Sequence, residues 1–90
     1  MPNPVLVSCP EGVWTKVATN VTSGQVNKKV GESGITYFRT YRVTGDAAPT
    51  DLSTAVGFYL SSVPIAANVS EPIDVYIWCQ DGDGSVVVEV

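Results

Sequence analysis

Residues 73–90 read IDVYIWCQDGDGSVVVEV. Ile73, Val75, Ile77 and Cys79 alternate with Asp74, Tyr76, Trp78 and Gln80, and Val86, Val88 and Val90 resume the apolar row further on. A period of two marks a strand with one buried face, because successive side chains leave a pleated chain on opposite sides. Between the two runs lies Asp81-Gly82-Asp83-Gly84. Alternating aspartates can open a calcium loop, but such a loop needs about twelve residues and a bidentate glutamate at its end. Here Ser85 and a valine strand follow at once, and the next acid is Glu89. Asp-Gly between alternating runs is instead a hairpin signal, since the tight turn demands positive φ. The expectation is a hairpin, with 73–80 paired to 85–90 and no metal site.

The same period recurs upstream. Val13, Thr15, Val17, Thr19 and Val21 form a β-branched row expected to face the core. GQVNKKV (24–30), ITYFRTYRV (35–43) and VGFYL (56–60) are further strands bounded by Gly, Ser, Pro or Asp, and Pro4–Cys9 forms another short one. TGDAAPTDLSTAV (44–56) and SSVPIAANVSEP (61–72) read as loops, the first with room for a single helical turn capped by Thr50. Six to eight short strands without helical periodicity predict an all-β fold, a single small antiparallel β-sandwich or β-barrel spanning residues 1–90.

Composition narrows the function. Charged residues make up only 16% of the 90 residues, below the usual quarter or so. Residues 1–45 hold all five basic side chains and two acids, a net of +3, whereas residues 46–90 hold seven acids and no base. Either the halves interleave in the fold, or they create a dipolar surface suited to head-to-tail packing. Too few basic residues exist for a nucleic-acid surface, and no apolar run is long enough to cross a membrane. Pro4–Cys9 lacks the features of a secretion signal, and its Leu6-Val7-Ser8-Cys9 resemblance to a lipoprotein box is accidental. The sequons at Asn20 and Asn68 would matter only in a secreted eukaryotic setting.

Catalysis finds little footing. The chain has no histidine, so the commonest general base and zinc ligand are both missing. No base is available to activate a serine, no Gly-rich phosphate cradle precedes a helix, and most acids sit in turns. Cys9 and Cys79 match no metal or redox spacing; a bridge between them requires neighbouring strands, and buried thiols are the expectation. No catalytic residue, metal or other cofactor is assigned.

The aromatic residues are more informative. Trp14 falls on the face of Lys16, Ala18 and Asn20, opposite the β-branched row, and Tyr76 and Trp78 share a face with Asp74 and Gln80. Either they shield the sheet beneath a loop, or they anchor an intermolecular surface of the kind rich in Trp, Tyr and Arg. Tyr37, Arg39, Tyr41 and Arg42 lie in TYFRTYR (36–42), a strand whose two faces are both mixed. The candidate interface is therefore Trp14, Arg39, Tyr41, Tyr76 and Trp78.

ITYFRTYRVTGDAAPTDLSTAV and IDVYIWCQDGDGSVVVEV resemble small β-rich virion structural proteins of tailed bacteriophages, of the decoration, cement or head–tail kind. The similarity runs from Trp14 to the end and is a residue pattern, not a catalytic signature. It implies a non-enzymatic virion component assembled in the host bacterial cytoplasm, decorating or stabilising the capsid. Its expected partners are copies of itself, as in a trimer, and the major capsid or another virion protein. The alternative is a host-glycan or receptor-binding module of a tail or head fibre, its aromatic rings stacking on sugars.

Overall fold

A computed structural model describes residues 4–29, 34–58, 62–65 and 71–89, with the side chains of residue 58 and residues 62–65 left aside. The sequon at Asn68 and the valine at position 90 lie outside the described residues. Among the described residues eight strands run in order as β1 (Pro4–Cys9), β2 (Thr15–Val21), β3 (Gly24–Lys28), β4 (Thr36–Val43), β5 (Val56–Phe58), β6 (Ser62–Ile65), β7 (Ile73–Gln80) and β8 (Gly84–Glu89). They form two four-stranded sheets, ordered β1-β8-β3-β6 and β2-β7-β4-β5, and every paired neighbour is antiparallel. The fold is thus an all-β sandwich, and its strand order is that of a jelly roll.

This order corrects the hairpin. β7 pairs with β2 and β4, whereas β8 pairs with β1 and β3, so the chain crosses from one sheet to the other at 81–83. The turn chemistry is as expected: Asp81 has φ 71° and Gly82 has φ 141°. Positive φ is a local demand that an inter-sheet arch shares with a hairpin. Which one forms depends on distant neighbours, and each of these central strands gains main-chain partners on both sides. The apolar rows of β7 and β8 then face each other instead of lying side by side.

Those rows form the core. Val75, Ile77, Cys79, Val86 and Cys9 are fully buried, joined by Val26, Val88, Tyr37, Ile73 and Ala18. The two cysteines are buried thiols within this cluster. Gly84 marks the closest approach of the layers: a Cβ there would fall 2.7 Å from the Tyr37 hydroxyl oxygen and 3.0 Å from Cys79 Sγ. Tyr37 uses that hydroxyl to donate to the Ser85 carbonyl.

Two further expectations change. The β-branched row of β2 holds only in part: Val17 and Val21 pack against the core as expected, but Thr19 is exposed, and register shifts occur between Lys16 and Ala18 and between Ala18 and Val21. Ala18 therefore enters the core opposite Val75, while Val13 is left 48% exposed. A bulge adds a residue to one strand and swaps the faces of everything beyond it. The segment 61–72 also contains strand β6, which proline obscured; Pro64 pairs opposite Gln25 at the edge of its sheet, where a missing N–H is tolerated. At 51–54 a turn closed by Ala55 N–H on the Leu52 carbonyl replaces the helical turn.

The strand order also settles the charge asymmetry. In both sheets strands from the first half of the chain alternate with strands from the second. The basic and acidic halves interleave, as the pair between Lys16 and Asp74 illustrates.

Candidate functional site

The outward face of the β2-β7-β4-β5 sheet carries Trp14, Tyr76 and Trp78. Cross-strand registry puts Lys16 beside Tyr76, Phe38 beside Trp78, Thr40 beside Tyr76 and Arg42 beside Asp74. The two tryptophans meet edge to face, with ring centroids 5.6 Å apart and planes at 66°. Pairs of this geometry contribute about 0.5–1.5 kcal/mol beyond their buried area.

A loop, residues 44–55, is fastened over this face. Trp14 Nε1 donates to the Asp51 carbonyl at 2.8 Å, and the hydroxyls of Thr40 and Thr54 bond at 2.8 Å. Arg42 reaches Thr54 Oγ1 through both terminal nitrogens and also donates to the Tyr41 carbonyl. At the loop's start the Thr44 hydroxyl donates to Asp74, and its N–H donates to the Pro72 carbonyl. The Asp51 carboxylate steadies the far turn by accepting from both the Ser53 N–H and hydroxyl, and these bonds hold its pKa below the ordinary range.

Asp74 anchors the arrangement. It is 2% exposed, and its Oδ1 accepts from the Asn20 N–H at 3.0 Å and from Thr44 at 2.9 Å. Its Oδ2 lies 3.4 Å from Lys16 Nζ, which also sits 5.8 Å above the Tyr76 ring. Burial pushes the carboxyl pKa up, but the Asn20 N–H, the Thr44 hydroxyl and the Lys16 ammonium together hold it below the ordinary aspartate value. Asn20 can aim its N–H there because it adopts φ 56° at the bulge, a conformation asparagine tolerates.

The five predicted interface residues do not share one surface. Trp14 and Trp78 are half-buried against each other, and Tyr76, at 4% exposure, is covered within the chain. Arg39 and Tyr41 face the other way: their registry with Ile77 and Val75 puts them on the core side of β4. The Arg39 guanidinium donates to the Tyr41 hydroxyl and lies 5.2 Å from its ring. Tyr41 packs against the core, and both residues remain only partly covered.

Where β5 ends, Arg39, Thr40, Tyr41, Arg42, Thr54 and Val56 line an open cleft of about 280 Å³. Two guanidinium groups and three hydroxyls there can bind an anionic or polyhydroxylated group. The sequence points to Arg42 in the same strand but not to its place in a site, because its ties to Thr40 and Thr54 depend on the returning loop. The role of Asp74 was not read from the sequence either; the available signal was an acid inside a strand on the same face as two aromatic rings.

The acids at the arch are engaged as well. Asp83 Oδ1 accepts from the Glu11 N–H at 2.8 Å, and Asp81 Oδ2 accepts from the Thr36 hydroxyl at 3.4 Å. Glu89 accepts from Gln25 and Asn27. Among the described residues no group of three His, Cys, Asp or Glu side chains is placed to hold a metal ion. Comparison with protein-family models, with curated proteins and with solved structures finds no match.

Proposed function

We propose that the chain is a non-enzymatic structural component of a bacteriophage virion, decorating or stabilising the capsid through contacts with copies of itself and with shell subunits. The observation that carries this reading is the pairing of a small jelly roll with apolar side chains left uncovered at its sheet edges. Val5 and Leu6 on β1 and Val56 on β5 are each more than half exposed. Uncovered apolar surface at strand edges suits a protein that meets neighbours laterally. The fold alone does not choose, because jelly rolls serve as capsid proteins and as lectins. The resemblance of 35–56 and 73–90 to phage virion proteins favours the first.

The engaged acids support the same reading. Asp51, Asp74, Asp81, Asp83 and Glu89 all accept structural hydrogen bonds, and the shifts at Asp51 and Asp74 favour the ionised form. A general acid working near neutral pH requires the opposite shift. The test is quantitative mass spectrometry of gradient-purified phage particles made by the genome that encodes the chain. The reading expects it in many copies per particle; a chain found only in the lysate, outside particles, contradicts it.

A second reading, a receptor-binding module recognising host glycans, is favoured by the cleft beside Arg39, Tyr41 and Arg42. Titration with acidic and neutral oligosaccharides, followed by tyrosine and arginine side-chain NMR signals, tests it. Saturable shifts confined to these residues would support it, and their absence at millimolar sugar would dismiss it.

A further inference from the structure

A two-sheet sandwich has four edge strands, and each is a template for unwanted pairing unless something blunts it. In this chain the edges are β2, β5, β1 and β6. β2 is interrupted by two register shifts, turned by Asn20 at φ 56° and marked by Lys16. β5 is only three residues long. β6 has four residues, one of them Pro64. Beyond the end of β5, the exposed stretch of β4 has the Arg42 guanidinium donating to the Tyr41 carbonyl.

β1 carries none of these devices in its length. Its six residues pair with β8 in unbroken register from Pro4↔Glu89 to Cys9↔Gly84. Its sequence, PVLVSC, has no charge, and its one proline is the first residue. Two apolar side chains remain uncovered on it, one on each face. Leu6, opposite Val87, points outward and is 56% exposed; Val5, opposite the buried Val88, points toward the core and is still 54% exposed. An inward-facing valine left half open means that the facing sheet does not seal the core at this end.

We infer that β1 is the seam of a symmetric dimer, pairing antiparallel with β1 of a second copy and joining two four-stranded sheets into one of eight strands. This rests on the reading of the chain as a self-assembling structural protein and names its contact. The occupant is a second copy for two reasons. An antiparallel strand is its own complement across a two-fold axis, so each main-chain donor meets an acceptor without any other partner. Further, a chain of formal charge −4 repels its copies, and this uncharged strand is where two can meet without opposing like charges. A partner chosen by charge would find nothing on β1 to hold. Centring the axis on Leu6 keeps inward and outward faces matched. It sets Leu6 against Leu6, and Val5 against Val7 of the second copy.

The test is oxidative cross-linking of Leu6→Cys in the full-length chain, with Val13→Cys as the control. Val13 is 48% exposed but lies outside the strands, and Cys9 and Cys79 are buried and unreactive unless the fold opens. Cross-strand partners on a two-fold axis stand within disulfide reach. The inference expects rapid covalent dimer from Leu6→Cys and none from Val13→Cys. It also expects Leu6→Lys to weaken self-association by at least about tenfold while leaving the circular dichroism melt unchanged at a dilution where both chains are monomeric. Equal cross-linking at both positions, or an assembly unaffected by Leu6→Lys, would overturn the β1 seam while leaving self-assembly itself intact. A wild-type chain that stays monomeric at about 100 µM would overturn it too. The particle mass spectrometry would still decide the virion reading separately.

Discussion

The two outward faces of the sandwich are treated differently. On the β2-β7-β4-β5 sheet the face is covered by residues 44–55, and side chains pointing out of the core are nonetheless buried: Asp74 at 2%, Tyr76 at 4% and Thr40 at 5% exposure. On the β1-β8-β3-β6 sheet Leu6 stands 56% exposed on that face, beside partly covered Val87, Gln25, Asn27 and Glu89. Strand parity tells which side of a sheet a residue occupies. It does not tell whether the chain later returns to cover that side. The outward tryptophans belong to the covered face, and the proposed contact surface belongs to the other sheet.

This contrast sets an order of mutational effects. Asp74→Ala should be the most damaging, because it strands the Asn20 N–H and the Thr44 hydroxyl beneath the loop; a loss of about 2–4 kcal/mol in chemical denaturation is expected. A loss under about 0.5 kcal/mol would mean that the face is not closed. Acid provides a second view of the same residue. Its folded pKa is depressed, so its contribution to stability is complete above the ordinary aspartate value and disappears as pH falls through the lower folded value. Asp74→Asn should therefore flatten the fall in melting temperature below about pH 4, and an unchanged acid limb would remove Asp74 from that role.

Trp14→Phe comes next. It keeps an aromatic ring against Trp78 but deletes the bond to the Asp51 carbonyl, at a cost of about 1 kcal/mol. Amide exchange should accelerate across 51–55 while β7 stays protected; faster exchange in β7 as well would show that loop and sheet open together. Smallest of all, Leu6→Lys on the open face should change the stability of the isolated chain by no more than about 0.5 kcal/mol.

Much of the fold was legible because alternation is local. The rows of β7 and β8 are written in the sequence, and so is the positive-φ turn at Asp81-Gly82. What could not be read depends on residues far apart. The bulges of β2 bring Ala18 into the core, and they form where Asn20 reaches Asp74, 54 positions away. The same holds for the arch that looked like a hairpin, since its sheet assignment is made by β1, β2, β3 and β4. For the candidate site, parity placed Trp14, Tyr76 and Trp78 on one face correctly, but their cover comes from a loop with no periodic signal. The exposed pair Val5-Leu6 carried a local cue: adjacent apolar residues in a short strand occupy both faces, and an edge strand has cover for one at most.

Light scattering of the native mass, run on the wild type, Leu6→Lys and Trp78→Ala in parallel, tests the division between the two faces most directly. The wild type is expected to assemble, and Leu6→Lys to be a monomer that melts as the wild type does once diluted to the monomeric state. Trp78→Ala should assemble as the wild type does but melt earlier. A Trp78→Ala chain that is monomeric at full stability, beside a Leu6→Lys chain that still assembles, would contradict that division and return the contact surface to the tryptophans.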